Sequence, residues 1–501
     1  MKQQLGRLAK NTVVYGAGDV LNRFIAFLLL PLFTYFLTPT DYGVASLLWL
    51  LGFVLTPVFS LGFGAALGAC YFEGDNQERK ETTIWTAFLI LSLSCTTLAI
   101  LGTVFSVEIS ELMLRSADHG YLVTILILST SFAILGTPLR LHLQFEERAK
   151  TAVAVTIAVT LVSVALSIIL IVVLRRGVRG MIESSLIAQI FSIVLLLTLT
   201  VPKLRIRINW GLGKELLRLG VPLIPAFAFV FVIQHGNKYI LQFFEGLEVV
   251  GVYTIGFNVG LLVGIIVTGF QTAWMPYFMS FLHKQDEAHA LFGRILTYYI
   301  FAIGSLSLLF FVVAKPLVMI MTQPGFHEAY KVVGLSATAQ CLTGVFSIFL
   351  PAVYFAKEVK YIGFVQLVAA IIAILLNLLL IPPLGLLGAG LALMFGMLAM
   401  AGFQQLWNFR NRGRYFRVRY EWNRIILFSL LYFCCMILAL WGRSFSVLTE
   451  ILISCILASI VSLGLFLLLN RTEKRSLQNL LQEVATKTFG RGPFARYRYE
   501  S

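Results

Sequence analysis

Charge is what this chain has least of. Ionisable Asp, Glu, Lys and Arg make up 13% of its 501 residues against 58% hydrophobic ones, and the mean hydropathy is +0.87. A water-soluble protein of this length has no use for so much apolar surface, so a soluble enzyme or binding module is excluded. Cysteine is also scarce. Cys70, Cys95, Cys341, Cys434, Cys435 and Cys455 lie in or at the ends of apolar segments, with no CxxC and no histidine at ligand spacing. They read as packing residues, and no metal site or disulfide scaffold is expected. The six histidines are scattered, and no Walker sequence, HExxH or Ser-His-Asp candidate set occurs. No ATPase or hydrolase is indicated, and the chain is read as a non-enzyme without a cofactor.

What is present is a succession of apolar runs long enough to cross a bilayer. Inside lipid the backbone finds no water, so only helices or closed barrels span it, and these runs far exceed barrel strands. The expected fold is an all-α integral membrane protein. Runs of about 20 residues separated by polar turns predict helices near 13–36, 43–69, 83–106, 119–142, 151–174 and 181–201. Eight more are predicted near 218–243, 250–280, 292–314, 328–355, 361–382, 386–408, 425–442 and 449–470, fourteen in all. MKQQLGRLAK resembles the charged start of a signal peptide, but the long apolar run after it lacks a small-x-small cleavage site, so it reads as a retained first helix.

Orientation follows from where the 39 Lys and Arg fall. With the N-terminus inside, most lie in cytoplasmic segments, above all PKLRIRINWGLGKELLR, FRNRGRYFRVRYEWNR and the tail after Asn470, which places both termini in the cytoplasm. Arg175, Arg176 and Arg179 break the rule in an external loop. The net charge of +15 reads as topology and contact with anionic lipid, and calls for no nucleic acid.

The two halves of the chain repeat each other at a spacing near 208 residues. FLTPTDYGV (36–44) aligns with FEGLEVVGV (244–252), pairing Phe36 with Phe244 and Gly43 with Gly251. Gly177 and Gly180 pair with Gly385 and Gly388 at the same offset, and Phe145 and Lys150 meet Phe355 and Lys360 with a slip of two. An offset of six helices keeps both copies in one orientation, a parallel repeat about an axis along the membrane normal. The expected divisions are an N-terminal lobe at 1–205, a C-terminal lobe at 206–410, two extra helices at 411–470 and a basic cytoplasmic tail at 471–501.

Four stretches resemble the polysaccharide-biosynthesis flippases of the multidrug/oligosaccharidyl-lipid/polysaccharide exporter superfamily. LLPLFTYFLTPTDYGVASL (29–47) looks like the family's first hairpin, and GVPLIPAFAFVFVIQHGNKYILQFFEGLEVVGVYTIGFNVG (220–260) like the opening of its second lobe. AKPLVMIMTQPGFHEAYKVVGLSA (314–337) and LLNLLLIPPLGLLGAGLA (375–392) resemble its ninth-to-tenth and eleventh-to-twelfth helix turns. The resemblance implies flipping of an undecaprenyl-pyrophosphate-linked oligosaccharide between two rocking lobes. It leaves room for contact with other polysaccharide-assembly proteins beside membrane lipids. Many relatives carry an acid followed by a base in the seventh helix, where this chain has Asn237-Lys238, so an ion-coupling role of that acid does not transfer.

Such cargo needs fixed cations and polar or aromatic groups facing inward, and charges in spanning helices are costly enough to be default candidates. Helix 1 offers Tyr15, Asp19, Asn22 and Arg23 on one face, with Phe27 a turn beyond. At 1.5 Å per residue Asp19 lies about 10 Å and Arg23 about 16 Å along that helix. The plainer alternative is an Asp19-Arg23 pair that fastens helix 1 to a neighbour. Helix 7 adds Gln234, His235 and Lys238, a lysine that faces the cavity or snorkels to the head groups. His235 is either a proton-linked group or a hydrogen-bonded core histidine. Asn258, Gln340 and Asn377 suit sugar hydroxyls or interhelical hydrogen bonds equally, while Arg140, Gln271 and Trp274 suit interface anchoring. Pro222 and Pro225 predict a bend in helix 7, and Pro382-Pro383 a terminator.

The expected function is a lipid-linked oligosaccharide flippase, with lipid II as one possible substrate. The alternatives are a drug or cation antiporter of the same superfamily and, remotely, a membrane polysaccharide polymerase or ligase, for which the external loops are too short. A monomer is expected. Cysteines placed at Gln3 and at Ser501 should both resist membrane-impermeant labelling in intact cells; external labelling of either contradicts the topology.

Overall fold

The computed structural model is described over residues 25–442 apart from 26, 74–75, 147, 201–204 and 283, and these residues are helical with no strand among them. The first half contributes α1 (Leu30–Phe36), α2 (Pro39–Phe59), α3 (Phe63–Phe72), α4 (Gln77–Val104), α5 (Ser106–Leu114) and α6 (Gly120–Leu135). It continues with α7 (Thr137–Phe145), α8 (Ala149–Ser167), α9 (Gly177–Thr200) and α10 (Trp210–Gly220). Then follow α11 (Ile224–Glu245), α12 (Leu247–Met279), α13 (Gln285–Met321) and α14 (Tyr330–Phe349). The last are α15 (Pro351–Phe355), α16 (Lys360–Arg410) and α17 (Trp422–Gly442).

Ten stretches among the described residues are long and apolar enough to span a membrane. One of them, Lys360–Arg410, holds two of the predicted helices. Its run is interrupted at Gly385 (φ 51°, ψ −122°), just beyond Pro382 and Pro383, where the expected terminator stands. With α11, and with the segments 13–36 and 449–470 that fall largely or wholly outside the described residues, the expected count of fourteen is consistent with the structure. Pro222 lies in a 3-10 turn at Val221–Leu223 and Pro225 in the first turn of α11. The expected bend therefore falls ahead of that helix, where α10 hands over to it, and not within the span.

Local sequence starts the helices in the usual ways. Thr38 caps α2 with a reciprocal box: its hydroxyl accepts the Asp41 N–H at 3.2 Å, and the Asp41 carboxylate accepts the Thr38 N–H at 2.9 Å. Within the spans, hydroxyls turn back on their own helix, as Thr56 does to the Gly52 carbonyl (2.7 Å) and Ser92 to Phe88 (2.7 Å), since lipid supplies no other partner.

The chain divides into two compact units, Met1–Lys284 with Ala314–Arg417 and Gln285–Val313 with Val418–Ser501. In the second unit, Gly293 lets the chain at Arg419 come close, the Arg419 N–H donates to the His289 carbonyl at 2.8 Å, and Phe301 packs on Phe428 with ring centroids 5.0 Å apart.

The first unit displays the repeat directly. Pro39 and Leu247 open α2 and α12 at the 208-residue spacing that also separates the bonded side chains Ser46 and Thr254. Gly177 and Gly385 both take positive φ, 57° and 51°, and in each copy the glycine three residues on lies against the end of the preceding helix, Gly180 on Leu170 and Gly388 on Leu380. At the crossing of α2 and α12 the equivalents meet. A methyl group on Gly43 would stand 1.9 Å from the Leu247 carbonyl oxygen, and one on Gly251 would stand 1.8 Å from that of Pro39. This reciprocity is what a pseudo-twofold axis through the contact requires.

Such a crossing tolerates no side chain. Gly43→Ala and Gly251→Ala should each destabilise the protein by about 3 kcal/mol, the upper end for overpacking, seen as a lowered melting temperature in detergent. Gly269→Ala, with nothing within 4 Å of its added methyl, should leave it unchanged.

Candidate functional site

Below the glycine crossing, α11 brings two polar side chains into the seam between the halves. Lys238 is buried, its Nζ donates to Ser46 Oγ at 2.8 Å and lies 5.3 Å from the centre of the Phe257 ring. It does not snorkel. Ser46 Oγ also accepts the Thr254 hydroxyl at 2.8 Å, so α2, α11 and α12 meet at one oxygen. Asn237 beside it is buried, with its amide donating to the Tyr253 hydroxyl and, at 3.5 Å, to the Ala389 carbonyl of α16, while its Oδ1 lacks a partner among the described residues. No described carboxylate is paired with Lys238. The site is thus a buried lysine held by neutral oxygen and an aromatic face.

One turn back along α11, the His235 ring sits among Phe53, Phe231 and Phe257, with centroids 5.6, 5.6 and 5.8 Å away. Its Nδ1 is buried without a hydrogen-bond partner among the described residues. Gln234 faces a cavity of about 720 Å³ between the later part of α2, the start of α3 and the first turns of α11. Its walls are chiefly apolar, with Phe53, Val58, Phe231 and Val232 among them, and its polar side chains are Thr56, Ser60 and Gln234. The hydroxyls of Thr56 and Ser60 are turned to Gly52 and Pro57 carbonyls, which leaves the Gln234 amide as the polar group free to meet a guest. At the far end, Gly62 and Gly220 are in backbone contact: a methyl on Gly62 would stand 2.1 Å from the Gly220 carbonyl oxygen.

The structure gathers Gln234, His235 and Lys238 on one stretch of α11, and places the other predicted residues elsewhere. Asn258 is exposed on α12. Gln340 packs on Gly264, with its Oε1 3.0 Å from where a methyl would stand. Asn377 is buried in α16, its amide donating to Ala373 one turn back at 2.7 Å and its Oδ1 without a partner among the described residues. These three belong to α12, α14 and α16 and do not line the cavity beside α2. Gln271 and Trp274, expected to anchor at the interface, instead join α12 to α14: Gln271 donates to Ser347 Oγ at 2.6 Å and the buried Trp274 donates to the Ser347 carbonyl at 3.0 Å. They turn inward because α12 and α14 pack closely through Gly256 and Gly260 and cover that face. Arg140 is exposed on α7. Tyr15, Asp19, Asn22 and Arg23 lie outside the described residues.

Sequence reasoning missed Ser46, Tyr253 and Thr254. A usable signal existed, because Ser46 and Thr254 are equivalents in the repeat, and residues near a pseudo-twofold axis meet their own counterparts.

A helical membrane protein built on an internal repeat, with a cavity beside the seam of its halves, is the class these features define. The chain belongs to the family described as polysaccharide biosynthesis protein, whose model matches residues 32–331. No curated protein matches it in sequence. Solved structures of similar fold include "Lipid II flippase MurJ, inward closed conformation", with a TM-score of 0.70, 15% identity, and 90% of this chain and 98% of that one covered. Others are multidrug resistance MATE family transporters of the MOP superfamily. An inward-facing one has a TM-score of 0.59 and 14% identity over 78% of this chain and 98% of that one. An outward-facing one has 0.57 and 16% over 80% and 95%. At such identities the likeness is one of fold.

Replacing Lys238 with Met keeps length and apolar stem and leaves the Ser46–Thr254 bond in place. Lys238→Met should match or exceed wild-type stability, by about 1 kcal/mol, while abolishing the export proposed below. Unfolding of this variant instead would make the lysine a structural group.

Proposed function

We propose that the chain moves an undecaprenyl-pyrophosphate-linked oligosaccharide, the repeat unit of a polysaccharide, from the cytoplasmic to the external leaflet of the bacterial cytoplasmic membrane by alternating access. The observation that carries this reading is Lys238, a cation buried at the seam of the two halves with no described carboxylate on it. A carrier for cationic drugs needs inward carboxylates, whereas a pyrophosphate-bearing cargo needs fixed positive charge. The family's description and the fold shared with a structure titled lipid II flippase support the same choice. In this reading residues 1–205 and 206–410 are the rocking lobes, 411–470 supplies two peripheral helices, and both termini are cytoplasmic.

Arg23 is the principal pyrophosphate contact, held between turnovers by Asp19, since a guanidinium binds phosphate in a two-pronged geometry that lysine matches poorly. Tyr15, Asn22 and Gln234 meet the sugars, and Lys238 acts later, nearer the exit. Lys238 alone suits an electrostatic hand-over, and Asn237 carries no proton for coupling. Drug export is the second reading, favoured by the apolar walls of the cavity along α2 and α11 and by the fold shared with multidrug transporters.

Mass spectrometry of lipid-linked sugars in cells depleted of the protein separates the two. Accumulation of an undecaprenyl-linked repeat unit is expected; an unchanged lipid-linked pool together with drug sensitivity means the second reading is right. At wild-type protein levels, Arg23→Ala and Arg23→Lys should both cut export of the repeat unit at least tenfold, and normal transport by Arg23→Ala returns the Asp19-Arg23 pair to a fastening role.

A further inference from the structure

The three arginines that break the charge bias of the loops converge on one cavity. Arg175, Arg176 and Arg179, with Tyr121 and Glu183, line a space of about 630 Å³ at the start of α9. Glu183 is already engaged: Arg176 Nη1 meets its Oε2 at 2.6 Å and the Tyr121 hydroxyl donates to its Oε1 at 3.2 Å. Arg175 and Arg179 are exposed and have no carboxylate partner among the described residues. The Asp41 carboxylate approaches Gly177 nearby, but its other oxygen is bound up in the cap of α2.

This placement is unfavourable for the protein alone. The N-terminus of a helix carries partial positive charge and favours anions, yet the first turn of the 24-residue α9 holds no acid and is flanked by three guanidiniums. Arg175 also takes φ of 50°, a left-handed conformation that a side chain adopts only at a cost.

The repeat supplies an internal control. In the second half, Leu384 and Leu387 stand at the equivalents of Arg176 and Arg179, and Pro383 at that of Arg175. Leu384 and Leu387 line a cavity of about 330 Å³ whose charged groups are Glu245, Glu248, Glu328 and Lys331. The same backbone turn, with glycines at positive φ in both copies, is therefore built without arginine in one of them. The fold does not require the basic cluster.

We propose that the pocket of Arg175, Arg176 and Arg179 is a binding site for a phosphate group at this membrane face, carried on a lipid head group of the adjoining leaflet. Val173, the exposed apolar residue that ends the preceding span, and the exposed Leu174 after it set the guanidiniums at head-group level. Two free planar forks beside a helix N-terminus match the oxygens of a phosphomonoester or pyrophosphate. The inference does not depend on the transport reading, because it is read out as equilibrium binding.

The test uses the full chain in dodecyl maltoside, titrated with dioctanoyl phosphatidic acid, with inorganic pyrophosphate and with dioctanoyl phosphatidylcholine as neutral control, and followed by microscale thermophoresis. The variant is Arg175→Gly with Arg179→Leu, which relieves the positive φ and installs the residue the second half uses, so folding is preserved. Saturable binding of phosphatidic acid, weakened at least tenfold in the variant and by added salt, supports the site. If pyrophosphate competes at equal concentration, the site takes phosphate free of a lipid; if it does not, the lipid is the source. Failure of both anions to bind the wild type saturably, or equal binding by the variant, overturns the proposal.

Discussion

The contact on which the first unit depends is the crossing of α2 and α12, where two backbones touch because Gly43 and Gly251 carry no side chain. Inside lipid the hydrophobic effect does little to join one apolar helix to another, so association rests on close packing and on hydrogen bonds shared between helices. Reciprocal approach of each glycine to the carbonyl four residues before its counterpart brings α2 and α12 near enough for Ser46 and Thr254 to bond. The same closeness carries Lys238 of α11 into reach of the same oxygen. Packing at the axis and chemistry at the seam are one arrangement.

That arrangement explains why a lysine can sit buried with no described carboxylate on it. Its charge is shared among a hydroxyl and an aromatic face, and its neighbours Asn237 and Tyr253 tie α11 to α12 and α16. Beyond this knot the polar content falls away. The cavity along α2 and α11 is walled mainly by apolar side chains until Gly62 and Gly220 meet, so the seam and the cavity differ sharply in character over a few helical turns.

The repeat is symmetric in backbone and asymmetric in charge. Both halves make the turn with a glycine at positive φ and a second glycine packed on the preceding helix, yet one copy lines its turn with arginine and the other with leucine beside glutamates. Backbone geometry is constrained by packing on all sides and changes little between copies. Surface charge at a pocket is constrained only by what meets it, and so it records use.

The sequence alone determined that the chain is a helical membrane protein, because twenty-residue apolar runs and the rule that lipid leaves no backbone group unpaired admit no other answer. It also determined the 208-residue repeat, through Gly43 and Gly251 and through the glycines at 177 and 385, since positions that exclude a Cβ are legible as glycine in any context. The helix 7 cluster of Gln234, His235 and Lys238 was legible in part, as polar residues in an apolar run. What the tertiary structure decided is where those residues point and what they touch: that Lys238 turns inward to Ser46, that Trp274 is buried against α14, and that Asn258, Gln340 and Asn377 stand away from the cavity. Helical periodicity tells which residues share a face, but which neighbour covers that face depends on contacts between segments hundreds of residues apart, and no local pattern encodes them.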